Sequence, residues 1–224
     1  MKEFIIKCKI MVTLIFDLDG TIFDSKGGIL KAFISPLKKL RVIYNTNSII
    51  RLIGHNLGDM YREVLPDNLQ NRIDWCIEVY RQYYEKLFFE DSYLYDNVEN
   101  TLVKLKRKNI NMAIATTKPT YITKNILEHY GIYHYFDVII GTEDLFPYKP
   151  DPAIIYEIKR KIGYNENETI IVGDTYLDIL AGKSAGIKTC AAMYGYGSKE
   201  KLYEIAPDYK ISKFKDIINI MEVL

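Results

Sequence analysis

Cysteine is scarce in this chain: three in all, Cys8, Cys76 and Cys190, with no CxxC spacing. That pattern suits reduced thiols in a cytoplasm better than a disulfide framework. Charge of one sign is not in excess either. Thirty basic residues against twenty-nine acidic ones leave a net charge of +1, so nothing draws the whole chain to nucleic acid or to an anionic membrane. No apolar run is long enough to cross a bilayer. The stretch from Met1 to Met11 is apolar but interrupted by Lys2, Glu3, Lys7 and Lys9. It lacks a clean signal-peptide core and a small-residue cleavage site, and reads as a short extension ahead of a domain that begins near Met11. Internal repeats and low-complexity tracts are absent too. A cytoplasmic protein with neither nucleic-acid nor membrane partners is expected. The 224 residues are 48% hydrophobic and 26% charged, ordinary for one large or two modest globular domains.

The chain is organised around Val12 to Asp24. Val12, Leu14, Ile15 and Phe16 form a β-prone apolar run, the pattern of a strand buried on both faces of a parallel sheet. It stops at Asp17-Leu18-Asp19-Gly20-Thr21, which puts two carboxylates where a buried strand emerges. In open α/β sheets ligands bind at the carboxyl ends of strands, and Gly20 permits a sharp turn there. A plain turn is one alternative. A calcium loop is another, but it needs Gly at its sixth position and Glu at its twelfth. Here the glycine is fourth from Asp17 and the twelfth position is Gly28.

From Ser25 to about Tyr95 the pattern turns helical and shows no strong strand signal. Ile29, Leu30, Phe33, Leu37 and Leu40 recur at helical spacing, with Pro36 as a kink or break. Ile49 to Ile53 is a short apolar piece, and Leu69 to Phe89 predicts a longer helix. After Asp96 strands and helices alternate. Helices are expected over 98–108, 120–130, 152–162 and 177–184, and strands over 112–115, 138–140, 169–172 and 188–191. Gly131, Gly163 and Gly186 stand as stop signals. Ser198 is a candidate cap for a short helix and Ser212 for a last helix over 214–223. Alternation of this kind implies an α/β fold with a doubly wound, Rossmann-like parallel sheet. The expected division is a core of residues 1–24 and 96–224, with residues 25–95 inserted as a helical domain.

Three further polar clusters fall at element ends: Thr116-Thr117-Lys118-Pro119, Lys149-Pro150-Asp151, and Gly173-Asp174 with Asp178. Each alone reads as a cap, a turn or a solvated charge. Together they bring acids, hydroxyls and a lysine to one edge of one sheet, and phosphoryl transfer wants that set. A carboxylate attacks phosphorus as nucleophile. A divalent cation on hard oxygen ligands offsets the repulsion between anions. Lysine, hydroxyl and N–H donors hold the phosphate oxygens, and a second carboxylic acid moves the proton.

These residues resemble the haloacid dehalogenase superfamily, in its phosphoglycolate phosphatase-like branch. Asp17-Leu18-Asp19-Gly20-Thr21 is similar to its first motif, Thr116 to its second, Lys149 to its third, and Gly173-Asp174 with Asp178 to its fourth, in the same order. The resemblance covers nearly the whole chain from Val12 and is weakest in the helical insertion. It implies Asp17 as nucleophile and Mg²⁺ ligand, and Asp19 as general acid/base that also binds Mg²⁺ through its backbone carbonyl. It further implies Asp174 as Mg²⁺ ligand supported by Asp178, and Thr116 and Lys149 on the transferring phosphoryl group. Thr117 departs from the family, where close relatives often have Asn. Gly20, Thr117, Arg51 and His55 are the candidate substrate-binding residues; Arg51 opens an Arg-x-x-Gly stretch, comparable to one that relatives often have near the substrate, and His55 follows it. The insertion then acts as a mobile cap.

Asp19 argues against dehalogenases, and Thr21 favours phosphatases over sugar-phosphate mutases. The expectation is a Mg²⁺-dependent phosphatase, monomer or homodimer, hydrolysing a small phosphorylated metabolite through an aspartyl-phosphate. Pyrophosphatase, nucleotidase and sugar-phosphate phosphatase or mutase are the alternatives within the superfamily. A catalytically silent phosphate-binding module is the alternative of another class.

Overall fold

The structure is a computed structural model and describes residues 12–142 and 147–222. The stretch 1–11, with Cys8 and the expected N-terminal extension, and the last residue of the expected final helix lie outside it.

The central strand β1 (Thr13–Phe16) is buried along its whole length, as its unbroken apolar run requires. It pairs in parallel with β4 (Asn111–Thr116) on one side and β6 (Thr169–Gly173) on the other. β5 (Val138–Gly141) extends the sheet beyond β4, while β7 (Lys188–Ala192) and β8 (Tyr209–Ile211) extend it beyond β6. The order is β5-β4-β1-β6-β7-β8, all parallel. The chain therefore leaves β1 in one direction and later continues on its other side, so the strand order reverses at β1. Ligand crevices open at such reversals. The register sets the crevice: Phe16 lies opposite Ile114 and Val172, so Asp17 emerges level with the ends of β4 and β6. The Asp17 N–H, donated to the Val172 carbonyl at 2.9 Å, holds it there.

Helices α5 (Val98–Arg107), α6 (Thr120–His129), α7 (Ala153–Ile162) and α8 (Tyr176–Ser184) connect the strands. Most of their buried apolar residues fall into two clusters, one on each face of the sheet, while Ile179 of α8 packs with Ala191 and Leu202. Leu14 and Phe16 join one with Leu102 and Ile126, and Ile15 joins the other with Ile155 and Ala181. Gly163 ends α7 in the left-handed region at φ 65°, the role expected of it.

Before α5 the chain makes a helical excursion. It leaves the core along β2 (Phe23–Asp24) and returns along β3 (Tyr93–Leu94), and the two pair antiparallel. A two-residue pairing is too short to show as alternation in the sequence, which is why no strand was expected there. Between them stand α1 (Lys26–Lys39), α2 (Thr46–Leu52), α3 (Leu57–Val64) and α4 (Ile73–Leu87). α1 passes through Pro36 rather than breaking. The proline sits near the helix end, where it removes one backbone bond, and it is buried. Phe33 stacks on Tyr61 with centroids 4.1 Å apart, and the Tyr61 hydroxyl donates to the Phe33 carbonyl. A buried phenol thus keeps a partner.

Two expectations are corrected, and two elements had not been expected. Helix α3 did not stand out in the sequence. The helix expected over 69–89 is instead a 3-10 turn, Asp67–Arg72, followed by α4. β8 was missed because three residues carry no periodicity. Two short helices follow the last strands: Ser198 does cap α9 (Lys199–Glu204), accepting from Lys201 N–H, but Ser212 does not serve α10 (Ile217–Met221) in that way. The Asp216 carboxylate reaches back to the N–H groups of Ser212 and Lys213, so a longer acid does the work assigned to the serine. Cys76 and Cys190 are both buried and unpaired.

Candidate active site

Three carboxylates converge at the carboxyl edge of β1 and β6. Asp17, Asp174 and Asp178 are buried, and their oxygens lie within 4.8 Å of one another. One ammonium answers them. Lys149 donates to Asp17 Oδ1 at 2.7 Å, to Asp178 Oδ1 at 2.5 Å and to the Ala115 carbonyl at 3.0 Å. Burial alone would lower the Lys149 pKa, but Asp17 and Asp178 outweigh it and hold the ammonium above its ordinary value. Burial pushes the Asp17 carboxyl up to about 7, against the pull of Lys149 and helped by Asp178 and Asp19. Asp174 is pushed up as well, by burial first and then by Asp17 and Asp178, while the Tyr196 and Gly197 N–H groups oppose the rise.

Counted formally, three carboxylates and one ammonium leave two negative charges in a buried site. Hard oxygen donors with that deficit fit a divalent cation such as Mg²⁺. The acids are not equivalent. Asp178 is already occupied: beyond Lys149, its Oδ2 accepts from Thr175 N–H and Oγ1 at 3.1 and 2.7 Å, capping α8. Asp174 accepts on Oδ2 from Tyr196 N–H at 2.7 Å.

Gly20 is expected at the substrate, but its backbone N–H is donated to the Phe23 carbonyl, and φ is +83°. A Cβ there would lie 2.2 Å from Asp174 Oδ2. The residue makes room for Asp174 and turns the chain, which no side chain does without strain.

Asp19 sits apart from the trio. Ser25 Oγ donates to its Oδ1, and Lys118 Nζ lies 3.0 Å from the same oxygen. Lys118 is buried, and it also meets the hydroxyl of Tyr84 on α4. Thr116 is buried at the end of β4, where its Oγ1 accepts from Lys118 N–H. Asp19, Thr117, Lys118 and His55 line one cavity of about 320 Å³ between the sheet edge and the helical excursion. Burial lowers the His55 pKa, with Lys201 adding to the effect. Arg51 is not brought there: it is exposed on α2, away from the cavity lining, with its charge felt by Glu200. The basic residue of the excursion that lines the cavity is Arg81.

Sequence reasoning passed over Ser25, Lys118 and Tyr84, and also the loop after β7. There the Tyr196 hydroxyl accepts from Ser25 and Lys26 N–H and donates to Asp24, while Tyr194 donates to the Thr21 carbonyl. Lys118 had a signal, since it follows the two threonines at a strand end. Tyr194 and Tyr196 had none, since these partners lie 170 or more positions away.

A model of the haloacid dehalogenase-like hydrolases matches residues 14–192. The chain belongs to that family. The chain is 32% identical over 213 residues to a phosphoglycolate phosphatase of Aquifex aeolicus, covering 95% of this chain and 97% of the relative. With a pyrophosphatase PpaX of Halalkalibacterium halodurans it shares 29% identity over 212 residues, covering 94% and 97%. A solved haloacid dehalogenase-like hydrolase from Streptococcus pneumoniae superposes with a TM-score of 0.85 at 27% identity, covering 94% of this chain and 98% of that one. These relatives set the chain in the phosphoglycolate phosphatase-like branch of the haloacid dehalogenase-like hydrolases. Among the described residues no helix is long and apolar enough to cross a membrane.

Proposed function

We propose that the protein is a Mg²⁺-dependent phosphatase that hydrolyses a small phosphorylated metabolite through a phosphoryl group carried on Asp17. The observation that carries this reading is the buried trio of carboxylates bridged by Lys149 and set beside a cavity that Asp19 lines. A silent binding module has no need of a buried acid held by a lysine at the mouth of a cavity. Burying such charges costs stability, and strongly shifted carboxyls cluster at functional sites, which favours catalysis over silent binding.

In this reading an Asp17 oxygen attacks phosphorus, and the bond from phosphorus to the leaving oxygen breaks. Asp19 gives its proton to that oxygen. It then takes a proton from the water that attacks phosphorus, which releases phosphate and restores Asp17. Lys149 holds the attacking carboxylate and faces the phosphoryl oxygens, joined by the Thr116 hydroxyl. Mg²⁺, bound by Asp17, Asp174 and the Asp19 carbonyl, would supply positive charge against the phosphate. Asp178 supports it by fixing Lys149 and the start of α8. Ser25 and Lys118 fix Asp19.

The segment between β2 and β3 acts as a cap whose closure excludes water. Support comes from its contacts across the crevice: Tyr84 on Lys118, Tyr121 hydroxyl to Glu85 at 2.8 Å, and Gly54, where a Cβ would sit 2.9 Å from Thr175. Mg²⁺-dependent hydrolysis of a simple aryl phosphate, abolished by EDTA and restored by Mg²⁺, is the expected result. Full activity after rigorous chelation, or no turnover with the metal present, overturns the reading.

A further inference from the structure

The cavity beside Asp19 is larger than a two-carbon acid fills, and part of its wall is apolar. Its volume of about 320 Å³ equals the liquid share of about ten waters, so a leaving group of glycolate size would leave most of it wet. Its apolar wall is formed by Ile29, Ile53, Met60 and Ile122 together with Tyr80 and Tyr84, while Asp19 and Lys118 line its polar side. Those two tyrosines stack with centroids 5.3 Å apart and planes 9° from parallel.

The charge inside does not favour a small dianion either. The Lys118 ammonium is already engaged, with Asp19 Oδ1 at 3.0 Å and with the Tyr84 hydroxyl. His55, with its pKa lowered by burial, is a neutral imidazole at neutral pH. Arg81 lines the cavity from its exposed side. A second carboxylate or phosphate deep in this cavity would displace water from its apolar wall and meet Lys118 as the one buried cation among the described lining residues, an ammonium that Asp19 and Tyr84 already hold.

We infer that the physiological substrate is a phosphomonoester whose leaving alcohol carries a ring, with an apolar body that packs on Tyr80 while its oxygen faces Asp19. This rests on the phosphatase reading above and narrows its substrate class away from phosphoglycolate and pyrophosphate. Apolar pockets discriminate by bulk, tenfold or more per well-filled group.

The test is kcat/KM for ethyl, benzyl and naphthylmethyl phosphate, whose leaving oxygens are all alkyl and so similar in intrinsic reactivity, beside phosphoglycolate and pyrophosphate. With wild-type protein and Mg²⁺, benzyl phosphate should exceed ethyl phosphate by at least about tenfold. The better of the two ring-bearing esters should also exceed phosphoglycolate and pyrophosphate. Met60→Trp, which narrows the cavity, should lower the naphthylmethyl-to-ethyl ratio. A flat series, or phosphoglycolate or pyrophosphate as best substrate, overturns the inference and leaves the phosphatase reading standing. No turnover of any member removes both.

Discussion

Lys149 and Asp17 meet at 2.7 Å although 132 positions separate them, and both are buried. The pair joins the loop before α7 to the end of β1. Lys149→Met would leave three buried carboxylates without their ammonium. Breaking a buried pair from one side costs about 3–5 kcal/mol, so the variant should melt well below wild type at pH 8. At pH 5 the gap should narrow, because protonation relieves the acids. Thermal unfolding at the two pH values checks this, and kcat/KM at pH 7 should fall at least about a hundredfold.

The raised acids make a second prediction. Asp17 has a folded pKa of about 7, above its ordinary 3.8, and Asp174 shifts in the same direction. Between those values the folded, metal-free protein holds more protons than the unfolded chain, so its stability falls as pH rises from about 4 to 7. Mg²⁺ competes with those protons. The gain in Tm on adding saturating Mg²⁺ should therefore be small at pH 5 and larger at pH 8. An equal gain at both would remove these carboxylates from the metal site.

Asp19 is gripped by Ser25 and Lys118, which gives a test of proton delivery. Asp19→Asn should cost about a hundredfold or more on an alkyl phosphate. The loss should be much smaller for release of a nitrophenolate, which leaves without a proton. Lys118→Met should show the same imbalance in weaker form, measured as the ratio of single-turnover rates on the two esters. Equal losses on both would give Lys118 a purely structural part.

Arg51 lies exposed on α2, off the cavity. Arg51→Ala should change kcat/KM by less than about twofold on charged and uncharged leaving groups alike, as exposed side chains away from the chemistry usually do. A steady-state comparison on phosphoglycolate and benzyl phosphate decides it.

How much of this was legible in the sequence follows from the range of the signals. The strand run at Thr13–Phe16 and the acids after it are local, and so are Thr116, Lys149 and Asp174 at their element ends; their meeting follows from parallel register. β8 and the β2–β3 ribbon were not legible, because two or three residues carry no period. Gly20 was expected at the substrate from its local motif, while the room it leaves for Asp174 is a long-range packing fact that no local pattern shows. Arg51 illustrates the converse. Its neighbours Ile53, Gly54 and His55 reach the cavity, but a helix only seven residues long turns the arginine outward, and no local pattern announces that direction.

The central claim is that Asp17 carries the phosphoryl group. Wild-type protein is mixed with Mg²⁺ and its best phosphomonoester, quenched in acid within the first turnover, digested and analysed by mass spectrometry. The peptide holding Asp17 should gain the mass of one phosphoryl group, which should vanish in Asp17→Asn together with turnover. Phosphorylation of a different residue, or unimpaired turnover by Asp17→Asn, would contradict it.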